Sequence, residues 1–328
     1  MSRYTIIKLT NLTPLHIGTG QENYDFSSSA LHSDTLSSAI ASIRASEGHT
    51  DDVESFLQSF VISSAFPFVG DVLFFPKPQG KLDVHVMDSE EYPSRKIIKK
   101  LRYLEYPLWN KVIQGEHLEV KSCQIKDAFL VSADKVETFE IPYASQVNQR
   151  VSVSRLENAP SEPFFFEWTF FNPNAGLFFV LDTPDNASRD EIVELLKRLG
   201  EIGLGTDRNV GGGKFNVENT ILNFEKVKDA NAQMMLSLYI PTSDELPVLN
   251  IQDSRYELLL RSGYIAGSSE PDFYHLRKKS IYAFNVGSVF RTDTIPTGKV
   301  VDMKPKWNDD RMHSVYRSGK PFVVSIKI

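Results

Sequence analysis

The segment Gly203-Leu204-Gly205-Thr206-Asp207-Arg208-Asn209-Val210-Gly211-Gly212-Gly213-Lys214 places five glycines in the eleven residues up to Gly213, with Arg208 and Lys214 among them. Backbone without a Cβ lets N–H groups approach phosphate oxygens, so the chemistry these residue types suggest is phosphate binding. Two nucleotide loops are excluded. A Walker loop would need Gly where Arg208 stands and Ser or Thr where Phe215 stands, and a dinucleotide fingerprint starting at Gly203 would also need Gly at position 208. Polarity agrees, because those loops run from strand to helix, whereas here a helical pattern precedes the loop and a strand pattern follows it. The competing reading is a tight, mobile connection, although three consecutive glycines cost backbone entropy.

A second constellation is Leu15-His16-Ile17-Gly18-Thr19-Gly20. His16 and Gly18 suit close approach to a ligand; the imidazole could donate a hydrogen bond, stack on a base, or act as a general acid/base in RNA cleavage. A hydrogen-bonded structural histidine at a strand end is the alternative. His32, His49, His85, His117, His275 and His313 show no metal-ligand spacing, and no Ser/His/Asp or paired-carboxylate signature stands out. Neither a catalytic set, nor a metal site, nor a cofactor is expected.

The chain carries a formal charge of −6, unlike a nonspecific nucleic-acid binder. Yet from Arg255 onward 13 Lys and Arg face 7 Asp and Glu. Five more cations fall in the eight residues Arg95-Lys96-Ile97-Ile98-Lys99-Lys100-Leu101-Arg102. Lys96, Lys99, Lys100 and Arg102 could line a polyanion track, with Ile97, Ile98, Leu101 and Leu104 packed inward; a solvated helix face is the plainer reading. Cys123 is the only cysteine, which excludes a disulfide framework and a cysteine zinc cage and suits a reducing compartment. No window is apolar enough to span a bilayer, so a cytoplasmic protein without a membrane partner is expected.

The elements that must position these residues follow from periodicity. Residues 3–10 read as a strand, and Ser33 or Asp34 caps a helix with Leu36, Ile40 and Ile43 on its apolar face. Thr50 caps a second helix carrying Phe56, Leu57 and Phe60. Val72–Phe75 is a strand. Residues 80–160 resemble an insertion, including the alternating piece Arg150–Arg155. Phe164–Phe171 and Leu177–Asp182, joined by Asn172-Pro173-Asn174-Ala175-Gly176, read as a hairpin. Ser188 and Glu191 form a capping box for a helix ending at the glycine loop, and Phe215–Leu222 is the strand beyond it. This order is a split βαβ pattern, that of an α+β, ferredoxin-like (RRM-like) fold. Beyond residue 230, strand-like stretches at 235–240, 256–260, 281–284 and 322–328 suggest a degenerate second copy.

Several pieces in this order resemble one family. They are Leu15-His16-Ile17-Gly18, Ser33–Ile40, Ser63–Phe68 with Asp71–Pro78, Lys99–Leu104, the loop Gly203–Phe215, Arg261-Ser262-Gly263-Tyr264-Ile265, Gly287-Ser288-Val289-Phe290 and His313–Gly319. Together they resemble the RAMP superfamily of CRISPR effector components, most closely the subunit of the type III-A (Csm) complex that caps the 5′ end of the guide. Ser314 departs from the proline expected after the histidine. The resemblance implies two ferredoxin-like domains, residues 1–228 with a thumb-like insertion at about 80–160 and residues 229–328. It implies a noncatalytic subunit that holds the 5′ handle of the CRISPR RNA and docks the large polymerase/nuclease subunit and a backbone RAMP subunit. Carried over to this sequence, Gly205, Arg208, Gly211, Gly212, Gly213 and Lys214 match the handle loop, and His16 and Gly18 its companion turn. Arg261, Gly263, Gly287 and Ser288 match the C-terminal RNA surface. A metal-independent endoribonuclease using His16 is the rival function.

Overall fold

The computed structural model describes residues 2–18, 27–28, 30–153, 162–265, 268 and 270–328. Thr19 and Gly20 of the His16 turn, and Ser154 and Arg155 of the alternating piece, lie outside the described residues. Along the first half run β1 (Ser2–Thr10), α1 (Ser33–Ser46), α2 (Val53–Ser59), β2 (Val61–Ile62), β3 (Phe66–Val69), β4 (Val72–Pro76), β5 (Val84–Val86), α3 (Glu91–Lys100), β6 (Tyr103–Glu105), α4 (Tyr106–Ile113), β7 (Leu118–Val120), β8 (Ile125–Lys126), β9 (Phe129–Leu130) and β10 (Tyr143–Ser152). The second half continues with β11 (Glu162–Phe171), β12 (Ala175–Asp182), α5 (Asn186–Ile202), β13 (Asn216–Phe224), β14 (Ala232–Met235), β15 (Asn250–Arg255), β16 (Leu258–Arg261), β17 (Ile281–Phe284), β18 (Val289–Arg291), β19 (Val300–Asp302), β20 (Tyr316–Ser318) and β21 (Val323–Ile326). No helix among the described residues is long and apolar enough to cross a membrane.

The principal sheet has the order β13-β1-β12-β3-β4-β6-β9-β8, with β2 also on β12. Its centre is apolar on both faces, which explains the unbroken run Leu177-Phe178-Phe179-Val180-Leu181 in β12. Ile7 and Leu9 of β1 and Leu177, Phe179 and Leu181 of β12 face α1, α2 and α5, meeting Leu36, Ile40, Leu57, Leu196 and Leu199. The alternate residues Ile6, Phe178 and Val180 enter a second core with Trp109, Leu104 and Val120, and with Met234, Leu236, Val289, Phe322 and Val324 from the C-terminal half. The smaller sheet β15-β18-β14-β21 therefore closes the face that the helices leave open.

Several expectations need correction. Phe164–Phe171 and Leu177–Asp182 do not form a hairpin: β11 pairs with β10 along its whole length, from Tyr143↔Phe171 to Ser152↔Glu162, while β12 inserts between β1 and β3. Local turn chemistry at Asn172–Gly176 reverses the chain, but burial on both faces decides the partner. The segment 80–136 is built into the core: Trp109 is fully buried, stacks on Phe75 at 4.6 Å and donates from Nε1 to the Pro76 carbonyl at 3.0 Å. The β10–β11 ribbon that follows is more exposed, with Val147, Val151 and Phe165 at the surface, while Phe166 and Trp168 are buried.

The caps differ too. His32, not Ser33 or Asp34, occupies the N-cap of α1, because the Ser33 N–H is bonded to Ser64 Oγ and the Asp34 carboxylate turns to two arginines. Asp52 rather than Thr50 precedes α2, its carboxylate held by Arg44. At α5 the cap is Asp185, whose Oδ1 accepts from the Ser188 N–H at 2.7 Å, so Ser188 is already helical and Glu191 is instead bonded to Arg44. Among the described residues after 229 there are 3-10 turns but no α-helix, so the weak helical signals there do not become helices.

Candidate nucleic-acid interface

The α5 helix is amphipathic, burying Ile192, Leu195, Leu196 and Leu199, and it ends at Gly203, whose φ is positive. From there the glycine loop is fastened to the turn after β1. Leu204 N–H donates to the Gly213 carbonyl, Thr206 N–H to His16, Gly213 N–H to Pro14 and Lys214 N–H to Thr13 Oγ1, all at 2.8–3.1 Å. Close approach requires glycine at four of the five positions, every one but Gly211, as Gly205 and Gly212 show. A side chain at Gly205, at φ +82°, would overlap the His16 carbonyl, and one at Gly212 would come within 2.6 Å of the Trp168 indole. Most of the loop's amides are thus spent internally, which leaves few of them to approach a phosphate and ties the loop down rather than leaving it a mobile connection. The loop's exposed side chains are those of Arg208, Asn209, Val210 and Lys214.

His16 is 1% exposed. Its Nδ1–H donates to the Glu167 carbonyl at 2.7 Å and its ring lies 4.4 Å from Phe166. A Cβ added at Gly18 would meet only the Thr206 methyl, at 3.9 Å, and the Thr206 hydroxyl is buried without a partner among the described residues. The ribbon joins this cluster: Leu15 and Thr169 exchange two backbone hydrogen bonds of 2.9 Å, and Arg150 of β10 forms an ion pair with Asp207 in the loop. The Arg150 guanidinium stands 4.5 Å from the Phe166 ring centroid and 5.4 Å from that of Trp168. Sequence reasoning missed Arg150, Trp168, Thr206 and Asp207. The alternation around Arg150 was visible, but nothing local indicated its partner 57 residues away.

The remaining candidates fall into other groups. Lys96, Lys99 and Lys100 lie on α3, which packs on β5, with Lys99 and Lys100 exposed, while Ile98 and Leu101 face inward as the pattern required. Arg102 lines a cleft with Asn285 and Val286, next to the turn of Gly287 and Ser288. Gly287 is itself tucked against the Lys77 carbonyl, and Ser288 is fully buried, its hydroxyl donating to the Asn285 carbonyl at 2.6 Å. The Gly263 carbonyl accepts from the Lys278 N–H at 2.9 Å. Arg261 donates from Nε to Asp34 Oδ2 at 2.9 Å and from Nη2 to Thr35 Oγ1 at 2.9 Å, and Arg317 joins the same carboxylate. Asp34 is 1% exposed. Burial lowers the Arg261 pKa to about 10. Arg261 thus ties the C-terminal half to α1, and the candidates form no single patch but a loop cluster, a helix face and the seam between halves.

Comparison with known proteins defines the class first. Residues 8–216, more than half of the chain, match the RAMP superfamily model, and residues 228–326 match the CRISPR Csm4 C-terminal domain. The chain belongs to the RAMP superfamily and, within it, to the Csm4 subunits of type III CRISPR–Cas. It is 25% identical over 325 residues to the "CRISPR system Cms protein Csm4" of Streptococcus thermophilus, covering 95% of this chain and 96% of that one. The protein of the same name from Thermococcus onnurineus is 24% identical over 79% of this chain and 82% of its own length. Among solved structures, a chain of the Csm3–Csm4 subcomplex of the type III-A interference complex aligns over 99% of this chain and 100% of its own, with TM-score 0.66 and 19% identity. A chain of the Csm1–Csm4 cassette with cA4 aligns over 100% and 99%, with TM-score 0.63 and 20% identity.

Proposed function

We propose that this chain is the type III-A effector subunit that holds the 5′ handle of the CRISPR RNA and joins the large polymerase/nuclease subunit to the first backbone RAMP subunit. Its relatives occur in Csm1–Csm4 and Csm3–Csm4 assemblies, which supports both partners. The N-terminal unit, about 1–228, is read as ferredoxin-like on the order β13-β1-β12-β3 with α1 and α5 on one face, and 229–328 as a degenerate, helix-poor copy. The β10–β11 ribbon is the part of the insertion that can serve as a thumb along the guide.

The observation that carries the reading is the exposed pair Arg208 and Lys214 on a loop made rigid by His16, Pro14 and Trp168. A fixed loop presenting cations suits single-stranded RNA held in one shape, where phosphates supply affinity and splayed bases meet apolar surface. The role is architectural, because the His16 ring is buried and its Nδ1 is committed to a carbonyl. Photocrosslinking of the assembled particle, with 4-thiouridine placed along the handle, tests it. Crosslinks mapping to 205–214 and abolished by Arg208→Ala with Lys214→Ala are expected; crosslinks confined to partner subunits contradict the proposal.

A further inference from the structure

We propose that Arg150 is a positioning residue for RNA: it reaches from the β10–β11 ribbon into the glycine loop and neutralises Asp207, so that Arg208 and Lys214 meet a polyanion with no uncompensated carboxylate beside them. This deepens the reading of the loop as an RNA site and rests on it. Residues 203–214 contain one acid, Asp207, and two bases, Arg208 and Lys214. The acid directly precedes Arg208, so a phosphate drawn to that guanidinium would also feel the carboxylate.

Three observations carry the assignment. First, the backbone holds Asp207 in place. Its φ is +57°, a left-handed conformation that Asp and Asn tolerate best after glycine. Its carbonyl accepts from the Val210 N–H at 3.1 Å and from the Gly212 N–H at 3.2 Å. Asparagine would suit that conformation equally well, so backbone geometry alone does not call for a charge. Second, the Arg150 guanidinium is delivered from a fixed shelf. It lies against the rings of Phe166 and Trp168, both buried. Phe166 also meets His16, and Trp168 backs onto Gly212 in the loop itself. The paired backbone hydrogen bonds of Leu15 and Thr169 fasten the same strand to the turn that anchors the loop. Third, the ion pair is open to the loop surface. The Arg150 and Asp207 side chains are each 32% exposed, so removing one leaves the charge of the other to act on anything bound beside it. Ribbon and loop thus form one charge-balanced unit, although neither balances its own charge.

The test is a mutant cycle on the affinity of the 328-residue chain for a fluorescent RNA matching the guide's 5′ end. Arg150→Met keeps apolar bulk over the rings but uncovers the Asp207 charge. It should weaken binding about tenfold, the order of one like-charge repulsion near a protein surface. Adding Asp207→Asn restores the net charge and should return affinity to within about twofold of the unsubstituted chain, with the salt slope unchanged. Asp207→Asn alone leaves Arg150 as an unpaired cation and should tighten binding about threefold or more, a readout independent of whether Arg150→Met folds. Failure of Asp207→Asn to rescue Arg150→Met overturns the proposal. A slope lower by about 0.7 in that double variant would make Arg150 a direct phosphate contact, and an unchanged slope would leave it a packing residue. Unchanged affinity in Arg150→Met, or unchanged or weaker affinity in Asp207→Asn, overturns it as well. A failed rescue while Arg208→Ala with Lys214→Ala still abolishes binding removes the role of Arg150 and leaves the loop reading standing. RNA that does not bind, or that ignores the loss of Arg208 and Lys214, removes both.

Discussion

Asp34, at the start of α1, receives the Arg261 guanidinium of β16 at 2.9 and 3.1 Å, so the first helix of the chain carries the counter-charge of its C-terminal half. Arg317 of β20 closes on the same carboxylate. Removing that acid strands two buried guanidinium groups. Asp34→Ala should cost about 3–5 kcal/mol of unfolding free energy, whereas replacing all three charges with apolar residues of similar size should recover most of it. Urea denaturation of both variants checks this; equal destabilisation would show that packing, not charge, holds the seam.

The glycine loop makes a graded prediction. Gly205→Ala meets a positive φ and the His16 carbonyl and should cost about 1–3 kcal/mol. Gly212→Ala meets Trp168 at 2.6 Å and should cost a similar amount through overpacking. Gly211, at φ +87° with open space around the missing Cβ, should cost about 1 kcal/mol on the same change, from backbone strain alone. Thermal melts of the three variants rank them, and the steeper destabilisation at 205 and 212 marks a pinned loop.

Acid sensitivity should trace to Glu245. Burial alone would raise its pKa, but the N–H groups of Thr242, Thr297 and Gly298 and the Thr297 hydroxyl outweigh that and hold it at about 2. A carboxylate depressed on folding contributes stability in full above its unfolded value of roughly 4.5 and loses it as pH falls toward 2. With allowance for solvent screening, the contribution is about 1–2 kcal/mol. The stability difference between the unsubstituted chain and Glu245→Gln should shrink from about pH 6 to about pH 2.5; a constant difference would remove the carboxylate from the explanation.

His16 supplies a sharp chemical test. Repeat RNA incubated with the purified chain in chelator should remain intact. Cleavage that disappears in His16→Ala would make the chain a metal-independent nuclease, against the architectural role.

Local order was well legible in the residues. The alternation in 3–10, the apolar face of Leu36, Ile40 and Ile43, and the helix-to-loop-to-strand order around Gly203 all correspond to β1, α1, α5 and β13. Pairing was not, because a strand's partner depends on which face is buried. Phe164–Phe171 and Leu177–Asp182 are adjacent in sequence yet belong to different sheets, since only β12 is apolar on both sides. Asp34 shows the same limit at a single residue: an acid at a helix start signals a cap, and only the fold reveals guanidinium partners 227 and 283 residues away. For the same reason the glycines pointed to a binding loop, while its actual constraint, Trp168 against Gly212, was invisible.

The most direct test of the central claim is the salt dependence of RNA affinity. For the unsubstituted chain, the logarithm of affinity for guide 5′-end RNA should fall linearly with the logarithm of salt concentration. Arg208→Ala and Lys214→Ala should each reduce that slope by about 0.7, the value for one fewer phosphate neutralised on a single strand. Slopes identical in all three proteins would contradict the assignment of these two cations to RNA.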